Sequence, residues 1–257
     1  MQLEMPTEVR NGTARYAVRL AASEAEVTEA QRLRWQVFAE EQGAHLASPV
    51  PGLDIDRFDP HCEHLIVRDL SSDQVIGTYR LLTASKARHI GGYYSESEFD
   101  LSAFRIPRRD ILEIGRSCVH RDFRSGAVIS LLWSGLAGFL MRSGHTALIG
   151  CASIPLAGQE EAASHLAREL FRKHPSNASH RVVPRRPLPF VSDCAQSAAP
   201  IPPLIKGYLR SGAVVCGEPC WDPTFATADV FVFLGLRDID ARYARRFLQP
   251  TLLEMAP

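Results

Sequence analysis

The 257-residue chain lacks several features that would each indicate a particular class of protein. It has no excess of charge, since 29 Lys and Arg residues balance 29 Asp and Glu residues, which argues against a strongly basic nucleic-acid binder. Its longest apolar stretch, Ile129 to Met141, is too short to span a bilayer. No basic-then-apolar leader is visible at its start, so we expect a cytoplasmic protein.

The chain is also poor in patterns that bind metals. Its six cysteines are scattered and none forms a C-x-x-C pair, which favours a reduced setting and buried thiols. Cys216 and Cys220, taken with the run His61-Cys62-Glu63-His64, have a spacing that fits no common structural zinc site. We therefore predict no metal site.

What is present is the composition of an ordinary globular protein, with 46% hydrophobic and 23% charged residues. Segments with strand and helix periodicity alternate along it. They predict an α+β fold, an α/β sandwich in which helices flank a mixed central sheet and a helical and loop region follows at the C-terminal end. We predict a flexible tail over 1–14 and a single domain over 15–257, in which 157–203 form a helix and a proline-rich excursion.

The individual elements follow from periodicity and from capping residues. A helix begins at the capping box of Ser23 and Glu26 and ends before Gly43. A helix over 127–142 is apolar nearly all round, so we expect it to be deeply buried. The other predicted strands and helices are 16–20, 63–69, 74–82, 111–119, 146–153, 159–173, 204–210, 214–216, 229–234 and 238–248.

Several charged residues fall where core residues are expected. Charges are rarely buried unless they are paired, so the pattern predicts a network of arginines and carboxylates in or beside the sheet. Its members are Arg34, Asp54, Asp56, Asp59, Arg80, Glu113 and Arg116. Glu113 and Arg116 are three residues apart on one strand, and a bulge near Ile114-Gly115 would turn both to one face and splay the strand from its neighbour.

Three segments resemble the signature of the acyl-homoserine-lactone synthases, which are relatives of the GNAT acyltransferases. They are Gly52-Leu53-Asp54-Ile55-Asp56-Arg57-Phe58-Asp59, Gly77-Thr78-Tyr79-Arg80-Leu81-Leu82 and Leu112-Glu113-Ile114-Gly115-Arg116. Arg34 and Phe38 match that family's early Arg and Phe, and Phe99 is a candidate for a later one.

The chain resembles the bacterial ornithine Nα-acyltransferases more closely, from about Arg15 to Tyr243. The segments that carry this resemblance are Gly115-Arg116-Ser117-Cys118-Val119, Leu131-Leu132-Trp133, Gly150-Cys151-Ala152-Ser153 and Pro202-Pro203-Leu204-Ile205-Lys206-Gly207-Tyr208-Leu209-Arg210. The resemblance implies a GNAT-like enzyme that moves a 3-hydroxyacyl group from acyl carrier protein to the α-amine of ornithine and makes lyso-ornithine lipid. It implies no tightly bound cofactor, only a phosphopantetheine-linked donor.

Aminolysis of a thioester needs a neutral amine, a base and donors for the oxyanion. On the resemblance, the catalytic candidates are Glu113, Arg116 and Arg80, with Glu113 orienting or deprotonating the amine. The candidates for substrate binding are Arg34, Phe38, Asp54, Asp56, Asp59, Phe99 and Ser117, with the aspartates facing the distal ammonium of ornithine. The candidates for the pantetheine and carrier protein are Arg121, Arg124, Ser125 and Gly126, at a helix start suited to phosphate.

Other interpretations remain open at this point. The acceptor could be glycine, tyrosine or another amine, the enzyme could be a lactone synthase, and the fold could serve as a non-catalytic binding module. The residues of the charged network could also pair with one another and only stabilise the fold. Cys118 and Cys151 lie in apolar strands without a nearby His, so we expect direct attack by the amine rather than an acyl-enzyme. A lipid product is compatible with peripheral contact with the inner membrane.

Overall fold

The computed structural model describes residues 15–189 and 199–248, with the side chain of Leu248 left out. The predicted tail over 1–14, and the part of the proline-rich excursion over 190–198, lie outside the described residues. Within them the chain divides into two compact units, one comprising 15–82, 114–144 and 245–248 and the other comprising 83–113, 145–189 and 199–244. The single-domain expectation stays a prediction.

The first unit is built on strands in the order β1-β2-β3-β5, with β1–β2 and β2–β3 antiparallel. Its helix α1 is capped by the Ser23 side chain, which accepts from the Glu26 N–H as the capping box predicts, and it continues as a π-helix, Gln36–Glu41. The elements are β1 (Tyr16–Leu20), α1 (Glu24–Trp35), β2 (Glu63–Asp69), β3 (Gln74–Thr83), the latter part of β5 (Ile111–Val119) and α3 (Ala127–Ser143).

Helix α3 covers one side of this unit and buries a stripe formed by Val128, Leu132, Leu136 and Leu140, and Ala137 and Gly138 are also buried. The expectation that the helix is deeply buried is met on this side only. Its other apolar positions are half-buried, and Ala127 is exposed, because a helix on one face of a sheet buries mainly the side that it presents to the sheet. The close approach depends on Gly77 of β3, since a Cβ there would lie 2.6 Å from Cγ1 of Val128.

The second unit carries strands in the order β5-β6-β10-β8, with β9 also on β10. Ile111 to Glu113 of β5 run parallel to Ala147 to Ile149 of β6, while β6 and β10 are antiparallel. The elements are α2 (Ala84–His89), β4 (Phe99–Asp100), β6 (Ala147–Pro155), α4 (Glu160–Lys173), β7 (Val183–Pro184), α5 (Pro203–Arg210), β8 (Val214–Val215), β9 (Cys220–Asp222), β10 (Thr227–Gly235) and α6 (Ala241–Tyr243).

Parallel and antiparallel strands with flanking helices confirm the predicted α+β class with a mixed sheet. The last predicted helix, 238–248, begins later than expected: Leu236–Asp238 is a 3-10 turn, the Asp240 side chain caps α6, and the chain continues as a π-helix. The short elements α2, β4, β7 and β9 were not predicted, because two to six residues carry too little periodicity to be recognised. Among the described residues no helix is long and apolar enough to cross a bilayer.

Candidate active site

The first unit contains an ionic network of three arginines and three aspartates. They come from the last turn of α1, from the loop between α1 and β2, and from the two strands β3 and β5. The members are Arg34, Asp54, Asp56, Asp59, Arg80 and Arg116. The predicted network therefore forms, but Glu113 is not part of it and has other partners.

Arg34 is the buried centre of this network, with 0% of its surface exposed. Its Nε lies 2.8 Å from Oδ2 of Asp54, and its two terminal nitrogens lie 2.7 and 2.9 Å from the two carboxylate oxygens of Asp59. It also donates to the Asp54 carbonyl. A planar guanidinium matches a carboxylate with two parallel bonds, so Arg34 fixes the aspartate loop to helix α1.

Arg80 and Arg116 compensate the remaining acidic charge. Arg80 lies 2.7 Å from Oδ1 of Asp56 and 3.4 Å from Oδ1 of Asp59. Arg116 lies 3.0 Å from Oδ2 of Asp54 and 3.1 Å from Oδ2 of Asp56. Each aspartate therefore already faces an arginine. The sequence predicted that these aspartates face the distal ammonium of ornithine, but the set contains no carboxylate whose charge is uncompensated.

The electrostatics agree with that pairing. Burial alone would raise the pKa of Asp59, but the hydrogen bonds and charge of Arg34, together with the charge of Arg80, outweigh it and lower that pKa below its usual range. The charges of Arg80 and Arg116 likewise lower the pKa of Asp56 against its burial. The Asp56 side chain is 22% exposed, so it is the carboxylate of this set that solvent reaches most readily.

The backbone of β5 departs from regular strand geometry beside the network. Arg116 has φ +49°, a conformation that non-glycine residues rarely adopt. The irregularity lies one residue beyond the predicted bulge at Ile114-Gly115. It accounts for a charged residue in an apolar strand, because it re-aims the Arg116 side chain toward the aspartate loop.

Glu113 lies in the second unit and has a different set of partners. Its two carboxylate oxygens accept the backbone N–H groups of Tyr94 and Ser95, both at 2.7 Å, and Oε1 also accepts the Ser95 hydroxyl. The side chain is buried. These bonds join strand β5 to the 3-10 turn Tyr94–Ser97 and hold the carboxylate in one orientation.

Three other substrate candidates are dispersed. Phe38 is half-buried and packs against the apolar cluster of α1. Phe99 is fully buried in the second unit, where its ring centroid lies 5.6 Å from that of Phe231 in an edge-to-face contact. Ser117 is a half-buried residue of β5.

The donor candidates lie together between β5 and α3. Arg124 donates to Glu41 at 2.8 Å and to the Val119 carbonyl at 3.0 Å, and Arg121 lies 3.5 Å from Glu41. Ser125 and Gly126 are exposed, and Gly126 has φ +97° as the residue that precedes α3. A side chain at that φ would be strained, so glycine suits this helix start.

Sequence reasoning missed a group of buried acids in the second unit. Glu98, Asp222 and Asp229 are buried, and one oxygen from each lies within 4.8 Å of the others. Among the described residues, these three form the group of His, Cys, Asp or Glu side chains that lie close enough together to hold a cation. The His61–His64 run and Cys216 are not part of this group. The signal was present at Asp229, a charge at the start of an apolar strand.

The thiols of Cys118 and Cys151 do not have the character of nucleophiles. Of the described cysteines, Cys118, Cys216 and Cys220 are buried as expected, whereas Cys62 and Cys151 are half-buried. Burial raises the pKa of Cys118 to about 12, and burial together with the charges of Glu98 and Asp229 raises that of Cys151 well above its usual value. The thiolate is the nucleophilic form, so both residues stay unreactive at neutral pH.

Comparison with known proteins defines the class of this chain. Residues 33–134 match the family model of the acetyltransferase (GNAT) domain. A crystal structure of the CoA-dependent acyl-homoserine lactone synthase BjaI, with SAM and isopentyl-CoA, superposes with a TM-score of 0.53 at 16% identity and covers 89% of this chain and 83% of that one. These two matches show that the protein has the GNAT fold.

Relatives of higher similarity define the family. The L-ornithine N(alpha)-acyltransferase of Rhizobium meliloti (strain 1021) is 36% identical in an alignment 255 positions long, gaps included, that covers 92% of this chain and 86% of the relative. The L-ornithine N(alpha)-acyltransferase of Brucella abortus (strain 2308) is 36% identical in an alignment 246 positions long, gaps included, that covers 88% of this chain and 86% of the relative. The chain belongs to the L-ornithine Nα-acyltransferase family.

Proposed function

We propose that this protein transfers a 3-hydroxyacyl group from acyl carrier protein to the α-amine of L-ornithine and so forms lyso-ornithine lipid. The observation that carries the proposal is 36% identity over 92% of the chain to an L-ornithine N(alpha)-acyltransferase. Buried charges beside an interrupted strand supply the polar groups that such a reaction needs.

The reaction is an aminolysis. The α-nitrogen attacks the thioester carbonyl, the tetrahedral intermediate collapses, the C–S bond breaks, and the pantetheine thiol leaves with a proton that the amine has lost. Glu113 is our candidate for orienting the amine and for receiving its proton, directly or through water, because it is a buried carboxylate held in one orientation by three donors. Backbone N–H groups at the irregular part of β5 are the candidates for the oxyanion.

The arginine–aspartate network has a supporting role in this proposal. Arg34 is buried and uses its nitrogens on Asp54 and Asp59, so it holds the loop. Asp56 and Arg116 are the network members with more exposure, and we assign contact with the substrate carboxylate to Arg116. Arg80 keeps Asp56 in place from the β3 side.

The BjaI lactone synthase of this fold was solved with isopentyl-CoA, and we infer that the donor here is also an acyl thioester, carried by coenzyme A or by acyl carrier protein. We propose acyl carrier protein, because the exposed Arg121 and Arg124 would attract an acidic carrier. Replacing both with Ala should raise KM for the acyl carrier protein and flatten its dependence on salt. An unchanged KM at two salt concentrations would remove both residues from docking.

The product carries a hydrocarbon tail, and we expect it to leave toward the inner membrane surface through peripheral contact. The final helical segment is not assigned to that contact, because Phe247 is buried with its ring 5.8 Å from that of Trp133. Sedimentation with anionic vesicles, in the presence and absence of product, measures this association.

The proposed function is tested by incubating the purified protein with 3-hydroxyacyl carrier protein and L-ornithine and analysing the products by mass spectrometry. Parallel reactions replace ornithine with glycine, tyrosine or S-adenosylmethionine, and the donor with 3-hydroxyacyl-coenzyme A or an unhydroxylated acyl carrier protein. We expect Nα-acylated ornithine as the main product. Preferred acylation of another amine, or no acylation at all, would overturn the proposal.

A further inference from the structure

The second unit holds three buried carboxyl groups beside the sheet face that carries Phe231. Asp229 and Phe231 are two residues apart on β10 and share that face, and Phe99 packs on Phe231 directly after Glu98. Asp222 lies on β9, which pairs with β10 at this point. The three residues are at most 3% exposed, and one oxygen of each lies within 4.8 Å of the others.

These carboxyls form no ion pair in the described part of the chain, since no Lys, Arg or His nitrogen of residues 15–189 and 199–248 is paired with any of the three. The nearby Arg185 and Arg186 instead donate from their side chains to the carbonyls of Glu96 and Trp221. Asp229 accepts the Thr227 hydroxyl at 2.7 Å, and Asp222 accepts backbone N–H groups of the turn that follows it. Glu98 is 1% exposed, and neither of its carboxylate oxygens has a hydrogen-bond partner at ordinary distance and angle, although the Cys151 thiol, the Tyr94 side chain and the Asp229 carboxyl lie beside it.

Such a group is costly when ionised and unpaired. Burial, together with the charges of Asp229 and Asp222, raises the pKa of Glu98 well above its usual value. Burial also raises the pKa of Asp229 to about 6. A cation bound among the three would reverse both shifts, because an opposite charge at hydrogen-bond distance stabilises the ionised form.

An ammonium group is a cation that these three oxygens can bind. The three N–H groups of a primary ammonium diverge at the tetrahedral angle, which places three acceptors about 4.6 Å apart when each N–O distance is about 2.8 Å. The oxygens of the cluster lie within 4.8 Å of one another, a limit that accommodates this arrangement. A magnesium ion, which draws neighbouring ligands to about 3 Å, falls within the same limit and is therefore tested below as the alternative occupant.

The cluster also lies near the carboxylate assigned to the reacting amine. Glu98 follows the turn whose Ser95 binds Glu113, and the charges of Glu98, Asp229 and Glu113 all act on the single thiol of Cys151. Ser153, which lies across from Asp229 in the β6–β10 register, is exposed, so the cluster is one residue away from the protein surface there.

We propose that Glu98, Asp222 and Asp229 form the binding site for the distal ammonium of the ornithine acceptor and determine the preference for a diamino acid. The inference rests on the proposed function. The ammonium site is therefore assigned not to the loop aspartates, whose charges the arginines compensate, but to three carboxyls that form no ion pair with the described residues.

The first test needs no variant. Wild-type protein is assayed with L-ornithine and with L-norvaline, which has the same chain length and lacks the distal amine. We expect kcat/KM to favour ornithine by at least about 100-fold, since a site built to bond a polar group rejects the analogue that lacks it. Equal use of norvaline would overturn the inference while leaving the acyltransferase activity established. If neither amino acid is acylated, the proposed function itself fails.

The second test uses Glu98→Gln and Asp229→Asn, with Glu161→Gln on the exposed face of α4 as the matched control. We expect each site variant to raise KM for ornithine at least about 10-fold and to leave KM for norvaline unchanged, because only ornithine carries the group that is bound. Glu161→Gln should match the wild type. Should a site variant fail to fold, the wild-type melting temperature decides: ornithine must raise it more than norvaline does.

A metal site is the competing outcome. Calorimetric titration of wild-type protein with Mg²⁺, Mn²⁺ or Ca²⁺ alone, without ornithine, should show no binding that depends on Glu98. Stoichiometric metal binding lost in Glu98→Gln, or acylation abolished by EDTA and restored by the metal, would overturn the assignment to ammonium.

Discussion

The substitution Arg34→Met isolates what the buried network contributes to stability. Arg34 is 0% exposed and donates to Asp54 and Asp59, so its loss leaves two buried carboxylates short of a partner. After the substitution, the arginine nearest to Asp54 is Arg116, at 3.0 Å, and the arginine nearest to Asp59 is Arg80, at the longer distance of 3.4 Å. We expect the free energy of unfolding to fall by about 3–5 kcal/mol, the usual cost of breaking a buried ion pair from one side.

Urea denaturation at pH 7 measures this change. The matched control is Arg172→Met, which removes an arginine that bonds Glu169 on the surface of α4 and should cost at most about 1 kcal/mol. Arg34→Lys keeps the charge but not the planar fork, so its loss should lie between the two. The reasoning is refuted if Arg34→Met unfolds at the same urea concentration as the control.

Three further outcomes are expected. Glu113→Gln sets an amide N–H₂ against the N–H donors of Tyr94 and Ser95, so the free energy of unfolding should fall by about 1–3 kcal/mol in a thermal melt. In the protein that remains folded, turnover should fall at least about 100-fold; retained turnover would exclude Glu113 from the reaction. The folded-state pKa of Asp59 is lowered, so the stability that its ionised form contributes is present at pH values above its unfolded pKa of about 4 and should be lost as the pH falls below that value. Acid titrations followed by circular dichroism should show a smaller loss of stability for Asp59→Asn than for the wild type. Gly77→Ala forces a methyl group against Val128 and should cost about 1–3 kcal/mol, whereas an unchanged melting temperature would show that α3 shifts freely.

Local sequence signals were enough to place most of the longer elements. Ser23 and Glu26 begin α1, and period-two alternation gives β2 and β3 with bounds that the structure confirms within one residue. The charges inside apolar segments also predicted that Arg34, Arg80 and Arg116 would meet the loop aspartates, because buried charges need partners.

Only the tertiary structure decided which charged side chains pair with one another and which carboxyls have no cationic partner among the described residues. Sequence reasoning grouped Glu113 with the arginines, yet its carboxylate is bonded by the Tyr94–Ser97 turn, a contact 18 and 19 residues away that no periodicity encodes. Likewise Glu98 and Asp229, far apart in the chain, become neighbours only when β4 packs on β10. Pairing depends on distances in space, and a linear pattern records the residue types without those distances.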